Sequence, residues 1–167
     1  MAKILFHSSV WILILSLVLV SNSGLLAKIA KAKKSLQMVV ELANCKVRSR
    51  TVSLPNPWEK KEFELQVKES ILADCKNEDG SIYKFLIEEE SFLNETKAYE
   101  RFPRIQEIPP DLKRKYGERA AAKHPEFQFR TGFLRYNKVC ILSAFIPISD
   151  EELEKWKLKL EKEIQQQ

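Results

Sequence analysis

The sequence predicts an α+β protein: an N-terminal hydrophobic segment and amphipathic helix, then an antiparallel sheet of about five strands with helices packed on one face. Three observations carry this reading. Residues 4–27 are mostly apolar, and residues 10–20 are broken only by Ser16. Short runs with period-two alternation follow, joined by turn residues. Apolar residues at helical spacing bracket those runs at both ends. The resulting order is helix, strand, strand, strand, helix, strand, strand, helix, which suits antiparallel neighbours rather than βαβ crossovers.

The apolar stretch comes first. A membrane-spanning helix needs about 20 mostly apolar residues, and residues 4–27 reach that length. A cleaved export signal needs a positive start, an apolar run of roughly 7–15 residues and small residues at the cut. Met1-Ala2-Lys3, residues 10–20 and Ser21-Asn22-Ser23 supply those parts, with Ala27 as a second cut. The polar residues His7, Ser8, Ser9, Ser21, Asn22 and Ser23 weaken a span and favour the signal. Lys28, Lys31, Lys33 and Lys34 pull towards an anchor with a cytoplasmic body, because positive residues tend to stay on that side. Two parts are therefore expected: residues 1–27 as signal peptide or membrane anchor, and residues 28–167 as a single α+β domain. That domain would be secreted, otherwise extracytoplasmic, or membrane-anchored.

Residues 25–44 predict a helix, with Leu25, Ile29, Ala32, Leu36, Val39 and Ala43 on one stripe and lysines off it. The stripe is short for a coiled coil, so it should pack on the sheet. Residues 45–54 are rich in β-branched and polar alternates and predict the first strand. Pro55-Asn56-Pro57-Trp58 reads as a loop, since proline cannot donate to a ladder. Phe63, Leu65, Val67, Glu69, Ile71 and Ala73 then share one face, with Glu62, Glu64, Gln66 and Lys68 on the other. Asn77-Glu78-Asp79-Gly80 is turn chemistry, and residues 81–89 return, so residues 62–89 predict a hairpin.

A short helix is expected over residues 91–99, after the acidic run Glu88-Glu89-Glu90. Phe102-Pro103 and Ile108-Pro109-Pro110 bracket an extended connection. Residues 111–123 predict a helix opened by Pro110 and Asp111. Gly117 weakens it by up to about 1 kcal/mol relative to alanine, and His124-Pro125 ends it. Residues 126–136 and 138–148 predict the last two strands, turning at Asn137-Lys138. The second is apolar on both faces and therefore central. Ser149-Asp150-Glu151-Glu152 is a capping box. It opens a final helix with Leu153, Trp156, Leu160 and Ile164 on one stripe, and with acids at its start that suit the helix dipole.

The net charge of +5 is modest and spread along the chain. It permits an acidic partner, an anionic lipid surface or a nucleic acid, and requires none. Two basic groups stand out. Lys46, Arg48 and Arg50 alternate on one face of the first strand. Lys113, Arg114, Lys115 and Arg119 make the residue 111–123 helix basic. Both are candidate contacts for an anionic partner. The plainer reading pairs the strand cations with Glu62, Glu64 and Glu69, at about 0.2–1 kcal/mol per cross-strand pair.

Reactive chemistry is sparse. The three cysteines form no C-x-x-C pair, and one of the two histidines lies in the leader. No metal site and no cofactor are expected. With four glycines, neither a phosphate-cradling loop nor a nucleophile elbow appears. His124 and Cys140 are the only nucleophile–base components, but Cys140 sits in an apolar strand where a thiol is usually structural. No catalytic residue is identified. If the first two strands pair antiparallel, the start of one lies beside the end of the other, so Cys45 and Cys75 are a candidate disulfide in an exported chain. Asn94-Glu95-Thr96 is a glycosylation acceptor if the route is eukaryotic and secretory.

The expected function is an exported or membrane-tethered, non-catalytic binding module. A membrane serves targeting or anchoring, and a protein is the expected partner. The alternatives are a binder of nucleic acid or anionic lipid through the basic strand and helix, and a small enzyme whose site is not recognisable from sequence.

Overall fold

The computed structural model describes residues 35–165. The leader and the first part of the residue 25–44 helix lie outside the described residues. Among the described residues no helix is long and apolar enough to cross a membrane.

Five antiparallel strands form one sheet in the order β1-β2-β3-β5-β4. They are β1 (Cys45–Ser53), β2 (Leu65–Lys76), β3 (Ile82–Phe92), β4 (Arg130–Arg135) and β5 (Lys138–Ala144). The helices are α1 (Leu36–Leu42), α2 (Pro57–Phe63), α3 (Glu95–Arg101), α4 (Pro110–Tyr116), α5 (Glu118–Ala122), α6 (Pro125–Gln128) and α7 (Asp150–Gln165). The fold is α+β with an antiparallel sheet.

One face of the sheet is packed by α1 and α7. Ile71, Ala73, Phe85, Ile87, Cys140, Leu142 and Ala144 come up from the strands. They meet Val39 and Val40 of α1 and Leu153, Trp156, Leu160 and Ile164 of α7. The Trp156 ring lies 5.6 Å from that of Phe85. Ser149 Oγ accepts from Glu152 N at 3.2 Å, as a capping box requires. The Glu152 carboxylate does not reach back; it accepts from Asn77 Nδ2 at 2.9 Å and so ties α7 to the β2–β3 turn.

The opposite face also carries helical cover, which is a second layer beyond the one read from sequence. Phe63 of α2, Ala98 of α3 and Ile105 pack on Leu65, Phe92, Val139 and Ile141. Helix α2 replaces the predicted loop and the start of the predicted strand. Its cause is local: Asn56 Oδ1 accepts from Glu59 N at 2.8 Å and Glu59 Oε2 accepts from Asn56 N at 3.0 Å, with Pro57 at the first turn. Glu64 then adopts φ 55°, and the pairing with β3 shifts register between Leu65 and Val67. Phe63 and Leu65 therefore face away from the core that Ile71 and Ala73 fill.

Two further boundaries differ from expectation. Gly117, with φ 78°, splits the predicted residue 111–123 helix into α4 and α5. Residues 125–128 are helical, so β4 begins only at Arg130, and the β4–β5 turn is Tyr136-Asn137, with Tyr136 at φ 51°. Gly132 is a point of close approach. A Cβ there would lie 2.6 Å from the Cys140 carbonyl oxygen and 3.2 Å from the Ile105 side chain.

Candidate functional site: a cavity floored by paired charges

On the second face the apolar packing stops halfway along the sheet, and buried charge takes over. Alternation on β2 and β3 dictates which side chains arrive there. Lys68 stands opposite Glu90 and Ser70 opposite Glu88 in the β2–β3 register. Glu89, between the two glutamates, points to the α1/α7 face and pairs with Lys138. Other elements bring the partners: Glu59 from α2, Arg101 from the end of α3, and Arg130 from the start of β4.

Lys68 Nζ lies 2.5 Å from Glu59, 3.6 Å from Glu90 and 3.8 Å from Glu88. Arg101 Nε donates to Glu90 at 2.9 Å, with the two side chains only 4% and 0% exposed. Arg130 donates to Glu88 at 3.0 Å and its guanidinium sits 5.2 Å from the Phe127 ring centre. Arg101 also lies over the Phe63 ring at 5.1 Å, which couples the charged half of this face to the apolar half.

Withdrawing an ion from water costs several kcal/mol even after relaxation, and a close partner is needed to offset that. Here every buried charge has one. Burial works to lower the Lys68 pKa, but Glu88, Glu90 and Glu59 raise it on balance, so the ammonium persists. Above this floor is a cavity of about 300 Å³. Its floor and rim include Glu59, Lys68, Glu88, Arg101, Glu107 and Arg130, and its wall includes Leu54, Pro109, Leu112 and Phe127. Glu107 is held by both nitrogens of the Arg104 fork, at 2.6 and 2.8 Å, and this hydrogen bonding keeps its carboxyl below the ordinary value.

The residues singled out from sequence fall elsewhere. Cys45 and Cys75 stand directly opposite one another at the β1–β2 pairing and are joined by a disulfide. Cys140 is buried in β5, and burial pushes its thiol well above the ordinary range, so it is held as the unreactive protonated form. His124 is exposed on the turn before α6, with its ring 6.3 Å from that of Phe127, and is not part of the cavity lining. Asn94 caps α3 by accepting from Lys97 N at 3.0 Å through Oδ1. That leaves Nδ2, the atom that carries a glycan, outside the cap.

The cationic stripe on β1 does not form, because β1 shifts register against β2 between Val47 and Ser49. Lys46 opposes Asp74 while Arg50 opposes Ile71, which puts them on opposite faces. Arg48 pairs with Asp74, and Arg50 Nε donates to Glu69 at 2.7 Å. Glu62 and Glu64, expected as partners of these cations, pair instead with Arg104 at 2.9 Å and Lys97 at 3.6 Å. Of the helix cations, Lys113 pairs with Glu118 at 3.2 Å and Lys115 lies 4.8 Å from the Tyr116 ring centre. Arg114 and Arg119 are exposed and make no ion pair with other described residues. Among the described residues no group of three His, Cys, Asp or Glu side chains has the arrangement of a metal site.

Sequence reasoning missed the cavity residues. The signals were present: Glu88 and Glu90 alternate with Ile87 on a strand that must be buried, and Asn56-x-x-Glu59 is a capping box with asparagine as its cap. Neither signal identifies the arginines that answer the glutamates. No protein-family model, no curated protein and no solved structure matches the chain.

Proposed function

We propose that residues 28–167 are an exported or membrane-tethered binding module, delivered to a membrane or across it by residues 1–27. The observation that carries this reading is the Cys45–Cys75 disulfide across β1 and β2. Such bonds form and persist in oxidising compartments and are rare where glutathione and thioredoxin keep thiols reduced. The hydrophobic leader points the same way. The reading as a binding module, rather than an enzyme, draws on the absence from the cavity lining of His124 and Cys140. In place of a free nucleophile and base, the lining offers charges that already hold one another.

The alternative of an anionic surface or nucleic acid draws its support from the exposed cations Lys46, Arg114, Lys115 and Arg119, since Arg48 and Arg50 are paired with β2 acids. N-terminal sequencing of the protein from its native host, combined with fractionation, tests the leading reading. The expected result is a chain that begins after Ser23 or after Ala27, or one that co-fractionates with membrane. An intact leader on a cytosolic protein contradicts it.

A further inference from the structure

We propose that the cavity above Lys68 holds a neutral, hydroxyl-rich small molecule of about monosaccharide size. The inference rests on the binding-module reading for its purpose, but not on the compartment. Four observations support it.

The first is that the charged floor sits where an apolar one was available. The same face packs Leu65, Val139 and Ile141 a few residues away, and apolar residues in place of a buried ion network are often neutral or stabilising. The second is spare hydrogen-bonding capacity. An ammonium has three donors, and Lys68 uses one of them, on Glu59, while Glu88 and Glu90 lie beyond hydrogen-bond reach. Beside it, Glu88 Oε1 receives only a 3.4 Å contact from Ser70. Donor and acceptor capacity therefore lie side by side, and a hydroxyl satisfies both at once.

The third is charge balance. Glu59, Glu88 and Glu107 line the cavity against Lys68, Arg101 and Arg130. A ligand with net charge would add an uncompensated ion to a set already matched, whereas a neutral one would not. The fourth is shape. The wall of Leu54, Pro109, Leu112 and Phe127 offers apolar surface to the C–H face of a ring, and a cavity of about 300 Å³ sits at the small end of ligand sites.

The test is calorimetric titration and thermal unfolding of the full chain with D-glucose, D-galactose, D-mannose and myo-inositol. Glutamate and putrescine serve as anionic and cationic probes. At least one neutral probe should bind saturably. Lys68→Met should weaken that binding at least about tenfold, the loss expected for a hydrogen bond from a charged group. Because Lys68→Met also leaves three carboxylates short of a cation, Leu112→Trp is the second variant. It fills the cavity from a half-buried wall position, leaves every ion pair in place, and should abolish binding without lowering stability. Saturable binding of glutamate or putrescine alone overturns the ligand class while leaving the cavity as a site. Absence of binding by any probe, or wild-type binding in both variants, overturns the site. None of these outcomes bears on the compartment, which fractionation decides separately.

Discussion

Glu90 and Arg101 meet at 2.9 Å with side chains 0% and 4% exposed, and Lys68 stands 3.6 Å from the same carboxylate as a second, longer partner. Removing one partner of a buried pair costs about 3–5 kcal/mol, because the survivor is stranded. Glu90→Gln and Arg101→Met should each destabilise by about that much, and the double variant by clearly less than the sum. Urea unfolding of the four proteins measures the coupling, and additive losses would show that the pair acts as two independent residues. Lys68 sets a pH dependence. Its folded pKa lies above the ordinary 10.5, so its contribution is complete below that value and is lost as pH rises through the folded pKa. Stability followed from pH 9 upwards should fall more steeply in the wild type than in Lys68→Met. At this scale the sequence was half legible. The buried Glu88 and Glu90 follow from strand alternation. Arg101 and Arg130, which answer them, lie 11 and 42 residues from their partners, and no local pattern reports such pairings.

Among the elements, α7 was read from sequence almost residue for residue, because a cap and a stripe at helical spacing agree over four turns. Its Trp156 is 2% exposed and packs on Phe85. Trp156→Ala should cost about 3–5 kcal/mol, and a loss under about 1 kcal/mol would mean that α7 is not anchored there. Helix α2 was misread because Pro55 and Pro57 speak first for a loop, while the Asn56–Glu59 box speaks for a helix starting between them. The β1 stripe failed for a different reason: one extra residue at a bulge reverses every side chain beyond it, and nothing in the run of residues 45–54 marks the place. Gly132 carries a comparable hidden constraint. Gly132→Ala drives a methyl against the Cys140 carbonyl and should destabilise by about 1–3 kcal/mol. Thermal unfolding that leaves this variant equal to wild type would show that β4 and β5 have room to separate.

For the whole molecule, α+β class and antiparallel sheet were legible because alternation and turn chemistry recur throughout. The two-layer cover was not, because α2 and α3 are each only seven residues long and leave no stripe to read. What ties the sheet to the proposed role is the redox state of Cys45 and Cys75. The titration that measures it is direct. Protein from the native host is alkylated under denaturing, non-reducing conditions and weighed, then reduced and alkylated again. A single alkylated cysteine, Cys140, before reduction, and all three cysteines after it, are the predicted results. Three alkylated cysteines before reduction would contradict an oxidised, exported domain and return it to a reducing compartment.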